Sequence, residues 1–122
     1  MEGKAYGFFK CNAPEAEIRD LIPKRPTRRG VIKSRLEVFT IQEMARRQLD
    51  QELAWEVRDA EDHGINYVLE GSREGVSNLE VAKDVKTALI ALYQSPLYKP
   101  ERKEPFCGLM LYEENGKYLE RN

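Results

Sequence analysis

Residues 77–93 constrain the fold more than any other stretch of the chain. Ser77-x-x-Glu80 has the form of a capping box, and Val81, Ala82, Val85, Ala88, Leu89, Leu92 and Tyr93 follow at helical spacing. A helix with one apolar stripe must bury that stripe against another element. Short runs rich in β-branched and aromatic residues lie on both sides of it, at 65–69 and 106–112. A sheet is therefore the partner that this helix predicts.

The same alternation runs along the whole chain. Residues 4–11 read as a buried strand, and Asn12-Ala13-Pro14-Glu15 as a helix start carrying Ile18, Leu21 and Ile22 up to Pro23. Residues 36–41 (LEVFTI) read as a short strand, because Thr40-x-x-Glu43 is a capping box directly ahead of a long helical pattern. Ser34-x-x-Glu37 offers the alternative of a helix beginning at 35. The pattern over 41–62 places Ala45, Leu49, Leu53, Val57 and Ala60 on one stripe and ends at Gly64. Residues 65–69 form a strand and 70–76 a loop with two glycines. Asn115-Gly116 joins 106–112 to 117–119 as a hairpin.

The order β-α-(β)-α-β-α-β-β over a single domain, 1–122, predicts an α/β or α+β fold. Its sheet is expected to be mixed, with four to five strands, about three helices packed on it and a C-terminal β-hairpin. The early strands are expected as parallel neighbours if they share the sheet directly. A ferredoxin-like arrangement with one extra helix is the alternative if 36–41 is not a strand.

Charge and cysteine usage bound the function. No window of 18 apolar residues exists and 5–9 is too short for a signal-peptide core, so a cytoplasmic protein without a membrane partner is expected. Cys11 and Cys107 have no Cys or His at metal-ligand spacing, which predicts free thiols and no zinc. Glu52, Glu56, Asp59 and His63 share a helical face, but the spacing matches no metal motif and reads as an exposed acidic face. No motif names a cofactor. With one histidine and no Gly-x-Ser-x-Gly elbow, nucleophilic catalysis is poorly supported.

Residues 24–35 differ in kind from the rest. Six of these twelve are basic and none is acidic, so in a chain of net charge −1 the remainder carries −7. Arg25, Arg28, Arg29, Lys33 and Arg35 are candidates for holding an anion, since guanidinium forks suit phosphate geometry. The alternative is compensation by the protein's own acidic helix, within one chain or across subunits. Ser72, Arg73 and Ser77, between a strand and a helix start, are further anion candidates.

Three functions follow as expectations. The first is a small binding or regulatory module for an anionic ligand, homodimeric, using 24–35 and 70–77. The second is a nucleic-acid binder using the basic segment, with Tyr6, Phe8 or Tyr67 stacking on bases. The third is a small enzyme with a pocket near 70–77, Glu70 as acid/base and Arg73 as anion clamp. Met44 and Trp55, off the stripe of the 41–62 helix, mark either a dimer surface or a helix buried on two sides.

Overall fold

The strand-forming runs pair into one five-stranded antiparallel sheet of order β2-β3-β1-β4-β5. In the computed structural model, residues 2–22, 34–96 and 108–121 are described. In chain order the elements are β1 (Glu2–Phe9), α1 (Glu15–Leu21), β2 (Ser34–Thr40), α2 (Ile41–Ala45), α3 (Gln51–Asp62), β3 (Tyr67–Glu74), α4 (Asn78–Tyr93), β4 (Gly108–Glu114) and β5 (Lys117–Arg121). The architecture is α+β with the C-terminal hairpin β4-β5. No helix among the described residues is long and apolar enough to cross a membrane.

The sheet is antiparallel throughout, where a mixed one was expected, and the reason is topological. β1 and β2 do run parallel, but β3 lies between them and is antiparallel to both. β3 and β4 are likewise parallel, with β1 between. Each strand-helix-strand crossover leaves a gap of one strand, and the other crossover fills it. This is the interleaving of the ferredoxin-like alternative, although residues 34–40 are strand. The helices inserted between β2 and β3 and the added strand β5 extend it.

Alternation along the strands sorts side chains onto two faces. One face carries Gly3, Ala5, Gly7 and Phe9 of β1 with Leu69 and Gly71 of β3, and α1 and α4 pack on it around Ile18, Val81, Val85, Leu89 and Leu92. Small residues at its centre let α4 come very close. A Cβ on Gly7 would lie 2.7 Å from one methyl of Val85, and a Cβ on Gly71 would lie 2.7 Å from the other. The opposite face carries Tyr6, Phe8, Val68 and Leu111, covered by α2 and α3 through Ile41, Met44, Leu53, Val57 and Ala60. Past this cover Lys4, Arg35 and Ser72 continue the same face.

Local chemistry fixes the ends of elements. Thr40 and Glu43 close the expected capping box, with Glu43 N–H donating to Thr40 Oγ1 at 3.1 Å and Thr40 N–H to Glu43 Oε1 at 3.4 Å. Ser77 caps α4 by accepting from Glu80 N–H. Within the helix start at 12–15, the N-cap of α1 is Pro14, without a side-chain cap. The helix predicted over 41–62 is two helices. α2 ends at Arg46, and Asp50 starts α3 by accepting from Leu53 N–H.

Two asparagines extend the pairing of β1 beyond its ladder. Asn66 Oδ1 accepts from Cys11 N–H at 3.0 Å while its Nδ2 donates to Cys11 C=O at 2.7 Å. At the other end, Asn78 Oδ1 accepts from Lys4 N–H and Nδ2 donates to Glu113 C=O, both at 2.8 Å, past the last β1–β4 pair at Tyr6 and Leu111. On the outer edge of the sheet Arg19 donates to the Val38 carbonyl of β2, which blunts an exposed strand edge. Cys11 is a buried free thiol, and Cys107 lies outside the described residues.

Candidate functional site

The anion candidates divide. Arg25, Arg28, Arg29 and Lys33 lie outside the described residues. Arg35 stands on β2 beside Glu37, at 3.6 Å, and directly across from Ser72 on β3. Arg73 points to the opposite face, 3.7 Å from Asp84 of α4. The Ser77 hydroxyl is engaged as the α4 cap. Arg35 and Ser72 are thus brought together, while Arg73 and Ser77 are not part of their surface. The crevice between Ser34, Arg35, Ser72, Val81 and Asp84 holds about 10 Å³, which is room for roughly one water.

The loop expected at 70–76 is mostly strand. Residues 70–74 pair with Tyr6 to Glu2 on one side, and most of them with Glu37 to Ser34 on the other. Two flanking ladders outweigh the local glycine signal at Gly71. The turn is left to Gly75, at φ +81°. The aromatic side chains proposed for base stacking are also placed differently. Tyr6, Phe8 and Tyr67 are all buried, Tyr67 donating to the Ala13 carbonyl and stacking on Phe9, so none offers a ring to a nucleotide. Among the described residues no group of His, Cys, Asp and Glu side chains is assembled to hold a metal ion. His63 Nδ1 instead lies 2.7 Å from the Asp59 carbonyl at the end of α3, and this bond, with the Asp59 carboxylate, raises its pKa.

One polar cluster escapes detection in the sequence. Glu70 is 5% exposed and is the one buried charged residue among those described. Arg47, in the link between α2 and α3, reaches it with an Nη1–Oε2 distance of 3.0 Å. The same guanidinium lies 4.9 Å from the centre of the Phe39 ring and contacts Met44 Sδ. Tyr6 sits next to Glu70 on the neighbouring strand. Burial first, and the Glu70 carboxylate second, push its phenol up to about 12. Tyr118 donates to Asp50 at 2.6 Å, and burial together with that bond raises its pKa as well. The available signal was the parity of Tyr6 and Glu70, which share a face once β1 and β3 are paired; the pairing itself is not local information.

Arg47 also forms a wall of a groove of about 270 Å³ between α2 and α3. Ala45, Leu49, Ala54 and Val57 supply its apolar lining, and Arg58 and Glu61 line it as well. Arg47 is held in place by Glu70 and Phe39, so its guanidinium is oriented before any ligand arrives. Arg58 is exposed. Chemically, the groove presents two fork-shaped cations and one carboxylate together with hydrocarbon. Compared with known protein families, curated proteins and solved structures, the chain matches none of them.

Proposed function

We propose that this chain is a small binding module for an anionic ligand, and that the ligand occupies the groove between α2 and α3. The observation that supports this reading is that Arg47 and Arg58 line one groove together with Ala45, Leu49, Ala54 and Val57. Guanidinium forks favour carboxylate and phosphate oxygens, and a preoriented Arg47 loses little side-chain entropy when it binds. The apolar lining of Leu49, Ala54 and Val57 favours an anion with a compact apolar body over a bare inorganic ion. Glu70, buried and paired, acts here as the holder of Arg47.

The test is thermal denaturation with phenyl phosphate, benzoate and inorganic phosphate. Phenyl phosphate is expected to raise Tm most, since ligand at ~100 times its Kd adds about 2.7 kcal/mol of stability. Arg58→Ala, a surface change, should abolish that rise without lowering the unliganded Tm. No rise with any of the three, or an unchanged rise in Arg58→Ala, refutes the assignment.

A further inference from the structure

We propose that the outer face of α3, centred on Trp55, is the docking surface for the basic residues 24–33 of a second copy of this chain. This surface shares Arg58 with the groove between α2 and α3, but the inference does not rest on a ligand in that groove. Trp55 is 60% exposed, the most exposed large apolar side chain among those described, while its neighbours Leu53, Val57 and Ala60 are buried beneath the helix. Tryptophan is among the residues enriched at the energetic centres of interfaces. The surface around it decides what kind of partner fits.

Glu56, Asp59 and Asp62 line the shallow depression beside the indole, with Arg58 as its one cation. Glu52 and Glu120 add their fields at Glu56, whose pKa is raised by burial and by these carboxylates. Two such faces meeting across a twofold axis would set like charges against each other. A cationic occupant would remove that repulsion. Residues 24–33 are such an occupant: five basic side chains, no acid, and Val31-Ile32 as an apolar pair for the indole. Arginine also stacks favourably on tryptophan.

Chain geometry favours a second copy over the same chain. The segment is joined to Ile22 and to β2, one edge of the sheet, whereas α3 leans toward β5, the other edge, where Tyr118 bonds to Asp50 and Glu52. Four strand spacings of ~4.8 Å separate the edges by about 19 Å. The eleven residues between Ile22 and Ser34, going out and returning, reach roughly 19 Å even when fully extended. Reaching the outer side of the helical layer would consume all of it. In a twofold dimer the contact forms twice and closes the assembly.

Trp55 is the single tryptophan, so its fluorescence reports on this face alone. Sedimentation velocity and emission spectra over a concentration series, at low and high salt, test the proposal. The wild-type chain is expected to dimerise at low salt with a blue shift of Trp55 emission, and to dissociate as salt rises. Trp55→Ala should weaken the dimer tenfold or more. Arg28→Glu with Arg29→Glu should abolish it, as should Glu56→Arg with Asp59→Arg. Mixing those two charge-reversed chains should restore one complementary contact, which also shows that both are folded. A monomer at every concentration overturns the proposal. So does a dimer indifferent to the Arg28 and Arg29 reversal, and so does a blue-shifted Trp55 without concentration dependence, which would mean contact within one chain.

Discussion

Replacing Gly7 by alanine adds one methyl group at one of the closest contacts between helix and sheet. Two effects oppose each other. Alanine restricts the unfolded chain and should stabilise by about 0.4–1 kcal/mol at a position where its backbone fits, and Gly7 has no positive φ. Against this, the new Cβ would lie 2.7 Å from Val85 Cγ1 and 2.9 Å from Leu89 Cδ1. Carbon atoms settle ~3.5–4.0 Å apart, so the deficit at Val85 is about 0.8 Å. Leu89 can turn its terminal methyl aside, but a valine on a helix has essentially one rotamer. Helix α4 must therefore back away from the sheet, and overpacking of this kind costs ~1–3 kcal/mol. The net expectation is a destabilisation of about 1–2 kcal/mol, the clash outweighing the entropy gain. Urea unfolding followed by circular dichroism measures it. The decisive comparison is the same substitution in a Val85→Ala background, where the opposing methyl is gone. There Gly7→Ala should cost at least ~0.5 kcal/mol less than in the wild-type chain. A Gly7→Ala protein as stable as wild type, or one whose loss is identical in both backgrounds, refutes the packing argument.

Two further outcomes can be checked by the same unfolding assay. Arg47→Ala strands the buried Glu70 carboxylate and should cost ~2–4 kcal/mol, at the lower end of buried-pair values because Arg47 is itself partly exposed; Arg47→Met combined with Glu70→Leu should cost clearly less than the two single changes added together. Stability should be level up to pH 10, where an unfolded tyrosine ionises, and should then fall by as much as ~2.7 kcal/mol toward pH 12, because the native state keeps the Tyr6 proton that the unfolded chain has lost. Tyr118, raised by burial and by its bond to Asp50, adds a loss of its own over the same range, so Tyr6→Phe should remove only part of the decline and Tyr6→Phe with Tyr118→Phe most of it.

Local signals in the chain were reliable wherever the partners are local. The Thr40–Glu43 box, the Ser77 cap and the stripe of α4 all stand as the spacing predicts. So does the Asn115-Gly116 turn, whose φ values of 54° and 80° are those of a hairpin that matches strand twist. The departures arise where a distant partner overrules the local pattern. The 41–62 periodicity runs unbroken through Arg47, yet Asp50 captures the Leu53 amide and Arg47 turns down to Glu70, 23 residues away. Met44 and Trp55, equivalent by periodicity, part company for the same reason: the break between α2 and α3 turns Met44 into the core and leaves Trp55 outside. Residues 70–74 carry a loop composition but are clasped between two strands.

The asparagine amides at the two ends of β1 bear on the fidelity of folding. A strand displaced by one residue presents its whole side-chain set to the wrong layer. For β1 that would drive Tyr6 and Phe8 beneath α4, where only Gly7 and Ala5 fit, and would hand the α2–α3 layer a row of glycines. Backbone ladders alone discriminate poorly between neighbouring alignments, because every rung is chemically alike. Asn66 and Asn78 are not alike: each offers one donor and one acceptor at a fixed point, to Cys11 at one end and to Lys4 and Glu113 at the other. A one-residue slip turns these backbone groups of the central strand away from both amides, so the pair works as two locating pins against the slip that would exchange its faces.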